Sequence, residues 1–215
     1  MRAWPDRAAV ARLARESVAL SGVDGAFALT QSIPRYFLQI AHGAAAVGYF
    51  TALASIGPAV EQLASSIGHA AAPRLGATAA NDPIGYRGLV GRLFAVGALI
   101  GAALTVGTVF GGRLFLRLAY TADYVDYLPA FVIVMLGAGL ALMNALGYFA
   151  MVAVRRPGML LALQCVGMLV TAASGALLIP RFAVTGAALA VGAGRALVTA
   201  ITAGLLLRRP AEAPR

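Results

Sequence analysis

Apolar residues dominate six consecutive stretches of the chain, at roughly 17–38, 44–68, 89–111, 128–153, 158–179 and 183–207, with short polar connections between them. Each stretch approaches or exceeds the about 20 residues that an α-helix needs to cross a hydrocarbon core of about 30 Å. The pattern predicts an all-α polytopic membrane protein. Residues 1–207 are expected to form a bundle of six transmembrane helices, and 208–215 a disordered cytoplasmic tail. Asn81-Asp82-Pro83 sets a capping side chain before a proline suited to a first helical turn, so a helix restarts near Pro83. The segment from there to Arg92 is expected to follow the membrane surface before entering it. Pro58 is expected to kink the second span. Small residues four apart, Gly97 with Gly101 and Gly107 with Gly111, offer notches for close helix packing.

The arginines fall between the apolar stretches and alternate in density. Arg2, Arg7, Arg12, Arg15, Arg74, Arg87, Arg92, Arg155, Arg156, Arg208, Arg209 and Arg215 belong to one side, and Arg35, Arg113, Arg117 and Arg181 to the other. Positively charged loops stay in the cytoplasm, which predicts a multi-pass membrane protein with both termini cytoplasmic.

Composition agrees with this pattern. The chain is 60% hydrophobic and 12% charged with a mean hydropathy of +0.83, against about 25% charged in an ordinary soluble domain. The net charge of +9 comes from arginine without any lysine. No basic stripe interleaved with aromatics accompanies it, so nucleic acid is not an expected partner. Cys165 stands alone in an apolar run and excludes an internal disulfide. The first apolar run is interrupted by Asp24 and lacks a small-residue cleavage site, so it is expected to be retained. No Walker loop, nucleophile elbow or metal-ligand spacing is present, and neither an enzyme activity, a metal nor a cofactor is expected.

Ionisable groups inside a bilayer cost at least about 2.5–3.5 kcal/mol near a helix centre, so those within the spans are the candidate chemistry. Asp24, Gln31 and Arg35 share one face of the first span, since eleven helical steps return to within about 20° of the start. Glu61 and Gln62 follow Pro58, and Gln62, Ser65 and His69 form a polar stripe at helical spacing. Arg195 lies midway along the last span with Thr199 and Thr202 on its face, too deep to snorkel to an interface. Asn144 and Tyr148 are one turn apart on the fourth span, where an interhelical hydrogen bond is the simpler account. Two readings of the charges stand side by side. In one, Arg195 and Asp24 or Glu61 form a buried ion pair that fixes packing. In the other, Arg35, Arg195, Gln31, Gln62 and Asn144 line a hydrated cavity for an anionic head group, while Asp24 and Glu61 compensate charge or carry a coupling proton.

Four strings add a resemblance. Ser32-Ile-Pro-Arg-Tyr-Phe37, Ala72-Pro-Arg-Leu75, Tyr120-Thr-Ala-Asp-Tyr124 with Pro129, and Ile179-Pro-Arg-Phe-Ala-Val-Thr-Gly-Ala-Ala188 occur in order over nearly the whole chain. In them the sequence resembles the C-terminal six-helix half of bacterial polysaccharide flippases, within the multidrug/oligosaccharidyl-lipid/polysaccharide exporter superfamily. It departs from that pattern at Tyr120–Tyr124, which lacks the usual glycine and proline, and at Ala183, where the family often has glycine. The resemblance implies a substrate of polyprenyl diphosphate-linked sugar repeat units, flipped to the outer leaflet for capsule, O-antigen or exopolysaccharide assembly. It also implies a second six-helix bundle, because family members pair two such bundles around a central cavity. That second bundle is a copy of this chain, a separate chain or a missing N-terminal half, and polysaccharide assembly enzymes are possible partners. The alternatives are a drug or metabolite exporter half of the same superfamily, and a nontransporting membrane scaffold or split-gene remnant.

Overall fold

The computed structural model describes residues 7–154 and 157–208. Among them the chain is helical: α1 (Arg7–Ala54), α2 (Gly57–Asn81), α3 (Pro83–Ala119), a 3-10 helix (Ala122–Tyr127), α4 (Leu128–Ala153) and α5 (Pro157–Arg208). Four stretches are long and apolar enough to cross a membrane: Ser21–Asn81, Pro83–Ala119, Ala122–Ala153 and Gly158–Leu207. The tail expected after Arg208 and the pair Arg155–Arg156 lie outside the described residues.

The helix boundaries differ from the expected ones in an instructive way. The divisions expected near 38–44 and 179–183 fall inside α1 and α5, each broken by one non-helical residue, Gly43 (φ 78°, ψ −176°) and Ala183 (φ 46°, ψ −122°). At Ala183 the chain folds back. Gly167 packs on Val198, Gly194 on Thr171 and Gly186 on the backbone of Leu178, an antiparallel pairing centred on the break. The first arm of α5 runs parallel to the first arm of α1, with Gly22 against Leu161, Gly175 against Phe37, and His42 Nε2 2.9 Å from the Ile179 carbonyl oxygen.

Pro58 does not bend a continuous helix. The helix ends before Ile56 and restarts at Gly57, with Pro58 in its first turn, where the missing amide hydrogen leaves no bond unmade. Pro83 starts α3 in the same way, and Asp82 caps it by accepting a 2.9 Å hydrogen bond from the Gly85 amide. The surface segment expected up to Arg92 is absent. α3 continues unbroken for 37 residues, and Tyr86, Val90, Phe94, Gly97 and Gly101 form one buried stripe, so the same face packs along the whole helix.

Three apolar clusters succeed one another along the bundle. At the end holding Gly43, Ala183 and the 3-10 helix, Leu38, Phe50, Leu53, Leu116, Phe131, Ile179 and Val184 are buried together. Val60, Ala64, Ala138, Leu142 and Leu146 fill the middle between α2 and α4. At the opposite end Val23, Leu75, Tyr86, Phe94, Met151, Leu160 and Leu206 converge, and the Tyr86 hydroxyl donates to the Ala150 carbonyl at 2.7 Å. α3 and α4 run antiparallel and meet so closely at Gly101 and Gly139 that a Cβ on Gly101 would stand 2.8 Å from the Gly139 Cα. Gly107 and Gly111 face open space, so only the first of the two expected notches is used inside the bundle.

Ala183 occupies a backbone region that residues with a Cβ adopt at a cost of about 1–3 kcal/mol. Ala183→Gly is expected to stabilise the protein by about 1 kcal/mol, and Gly43→Ala, with open space around the new methyl group, to destabilise it by a similar amount. Thermal unfolding of both variants in detergent checks this. A destabilised Ala183→Gly variant would contradict it.

Candidate functional site

Midway along the bundle, one side chain draws four stretches of the chain together. Arg195, on the second arm of α5, donates from Nη1 to the Gly137 carbonyl of α4 at 3.0 Å. Its Nη2 donates to Gln31 Oε1 of α1 at 3.2 Å and to Glu61 Oε1 of α2 at 3.1 Å. The Arg195 backbone is held as well: its carbonyl accepts from Asn144 Nδ2 at 3.2 Å, and Thr199 Oγ1 lies 2.8 Å from the same oxygen and 2.9 Å from Asn144 Oδ1. Thr199 and Thr202 are buried, and Thr202 packs against Gly147. An apolar bundle tolerates a guanidinium only when its donors meet acceptors, and here a carboxylate, an amide oxygen and a main-chain carbonyl supply them.

From this junction a cavity of about 380 Å³ extends toward the end of the bundle where α1 and α5 begin. Asp24, Phe27 and Gln31 of α1, Glu61 and Ser65 of α2, Asn144, Tyr148 and Phe149 of α4, and Gln164 and Arg195 of α5 all line it. Its charged lining comprises two acids and one base, and the base is already engaged by one of the acids. The side chains of Arg195 and Glu61 keep 12% and 24% exposure, so both reach the cavity while bonded to each other.

Of the residues singled out in the sequence, Asp24, Gln31, Glu61, Asn144 and Arg195 come together here. Arg35 and Gln62 do not. Arg35 is one turn beyond Gln31, next to buried Pro34 and Leu38, where apolar packing has closed the interior, and its side chain is exposed on the outside. Gln62 is exposed too, because Ala64 and Gly68 define the packed face of α2 and leave Glu61 and Ser65 on its cavity side. The stripe Gln62, Ser65, His69 is thus split: Ser65 lines the cavity, whereas His69 lies outside with its ring 4.9 Å from that of Phe149.

Phe27, Phe149 and Gln164 also belong to the site, and sequence alone did not single them out. Gln164 had a visible signal, an amide inside an apolar run. The two phenylalanines had none, since aromatic residues in a membrane helix are ordinarily packing or lipid-facing. Tyr148 had been noticed only as an interhelical partner for the fourth span. Among the described residues no group of three or more His, Cys, Asp or Glu side chains could hold a metal ion.

Comparison with protein-family models, with curated proteins and with solved structures returned no match for this chain.

Glu61→Ala leaves the guanidinium without its counter-charge and is expected to lower unfolding free energy by about 3 kcal/mol or more. The double variant Glu61→Ala/Arg195→Met is expected to lose less than the sum of the single losses, by about 1–3 kcal/mol. Equilibrium unfolding of the four proteins in micelles measures the difference, and strictly additive losses would show that the pair is not coupled.

Proposed function

We propose that this chain is one half of a membrane transporter, crossing a bacterial inner membrane six times, which joins a second six-helix bundle to flip polyprenyl diphosphate-linked oligosaccharide. The observation that supports transport best is the cavity itself: a scaffold has no use for a half-open space into which Asp24, Gln31, Glu61, Asn144 and Arg195 project from an apolar bundle. The breaks at Gly43 and Ala183 support six crossings, since each divides a stretch far longer than a bilayer requires. Arg74, Arg87 and Arg92 then lie near one end and Arg35, Arg113, Arg117 and Arg181 near the other, and the richer side faces the cytoplasm once the arginines at 2–15, 155, 156 and 208–215 are added.

The charge balance of the cavity separates the roles of the two arginines. Arg195 is held by three acceptors, one of them a carboxylate, so it has little capacity left for a diphosphate. Arg35 is exposed on α1, and Gln39 and Gln62 are exposed on α1 and α2. We place the diphosphate against these exposed polar side chains, where a second bundle would complete a central passage. Arg35 supplies the guanidinium there, and Gln62 a neutral hydrogen-bonding group. Glu61 keeps the compensating role by neutralising Arg195. Rocking of one bundle against the other would then expose these side chains alternately to the two sides.

The reading is tested by expressing the chain in a flippase-deleted strain, alone and with a matching N-terminal half, and scoring surface polysaccharide. Restoration is expected only with the partner half. Arg35→Ala is expected to lower it by about tenfold or more through the lost charge-assisted contacts, and Arg195→Ala to abolish it by disrupting the bundle. Failure with verified membrane expression and a matched half and substrate would favour a scaffold or remnant.

A further inference from the structure

The cavity has an excess acid that the Arg195 junction leaves unspent. Glu61 is engaged with Arg195, but Asp24 lines the same space about two turns before Gln31, is exposed, and forms no ion pair among the described residues. A carboxylate facing an apolar-walled cavity sets a negative local potential, which repels phosphates and carboxylates and attracts a cation.

The walls next to Asp24 are aromatic. Phe27 follows it by three residues and shares its face of α1. Across the cavity the Tyr148 and Phe149 rings stand at 90° with centroids 5.7 Å apart, presenting two perpendicular aromatic walls. Phe149 is fixed from behind. It lies over Gly68, where a Cβ would collide with its ring, and against His69 at 4.9 Å. Val23, Leu160 and Leu163 add apolar surface.

We infer that this cavity is a binding site for an organic ammonium ion, with its cationic head between the Asp24 carboxylate and the Phe27, Tyr148 and Phe149 rings. Aromatic faces attract quaternary and primary ammonium groups through their quadrupoles, and a nearby carboxylate supplies the counter-charge. A metal ion is the poorer fit: the space of about 380 Å³ is far larger than a bare cation, and the described residues contain no cluster of oxygen or nitrogen ligands. Gln164, Ser65 and Asn144 provide hydrogen-bonding groups deeper in the cavity for whatever polar atoms the ligand carries beyond its head. The site is independent of the exposed side chains assigned to the diphosphate, and stands whether or not the chain flips oligosaccharide.

The ammonium group could come from a soluble amine or from a phosphatidylethanolamine head group, and the experiment separates the two. The full chain is placed in phosphatidylglycerol nanodiscs and titrated with benzyltrimethylammonium by calorimetry. Saturable binding is expected. Asp24→Asn and Tyr148→Leu are each expected to weaken it by about tenfold or more, while Tyr148→Phe, Arg35→Ala and Gln62→Ala leave it within about twofold. Repeating the titration in nanodiscs containing phosphatidylethanolamine identifies the source: competition indicates the lipid head group, and no competition a soluble amine. The inference is overturned if the folded wild-type chain shows no saturable binding, if Asp24→Asn binds as well as wild type, or if inorganic diphosphate displaces the probe from the cavity. Gel filtration establishes that each variant is folded, and the two substitutions act on different helices, so loss of one to misfolding leaves the other decisive.

Discussion

The guanidinium of Arg195 is the group around which the middle of this bundle is arranged. A cation in an apolar interior is tolerable only when its charge and its donors are met together, and neither requirement can be satisfied from its own helix. The consequence is geometric. Glu61 must point inward from α2, Gln31 must approach from α1, and the Gly137 carbonyl of α4 must be within reach, which fixes three neighbours of α5 in depth and rotation at once. The surrounding apolar clusters supply contact area, but contact area alone is compatible with many rotations of a helix. A four-way polar junction is compatible with few.

Close packing of backbones lets the junction form. Gly167 and Gly194 allow the two arms of α5 to lie together, and Gly101 and Gly139 do the same for α3 and α4. In lipid, where apolar side chains gain nothing by leaving solvent, such approaches are a principal source of helix association. The helix breaks complement them. Where the helix is interrupted at Ser55 and Ile56, the Ala52 carbonyl accepts from the Ser55 amide and hydroxyl of its own turn and from the Tyr120 hydroxyl at 2.9 Å, so the break is satisfied both locally and by a neighbouring element. Tyr120 in turn stacks on Tyr124, and Tyr49 on Tyr127, closing the end of the bundle opposite the cavity.

Much of this was readable from the chain itself, in proportion to how local each signal was. Apolar length and the alternation of arginines gave the helical, membrane-suited character, and the Asp82-Pro83 cap lay in three consecutive residues. Rotational phase was harder. Glu61 and Gln62 are adjacent and both polar, and only the contact of Ala64 and Gly68 with α4 decides which of them faces inward. Arg35 was in phase with Asp24 on an ideal helix, yet a shared face does not make a shared environment: the interior narrows between Gln31 and Leu38. The aromatic walls were invisible because Phe27 is distant in sequence from Tyr148 and Phe149, and only tertiary packing brings α1 and α4 to one cavity.

The distinction between Arg35 and Arg195 bears on how such a bundle can move. A buried arginine held by three helices resists rearrangement, because breaking any one bond strands a charge in a medium that cannot solvate it. The interior junction is therefore suited to keep the bundle rigid, while the exposed polar side chains on α1 and α2 carry no such constraint. A polar group at the centre of a membrane helix need not touch the substrate to be indispensable. By joining four stretches of the chain at one point, Arg195 fixes the bundle as one body, and by engaging Glu61 it leaves Asp24 as the acid of the cavity without an ion pair among the described residues.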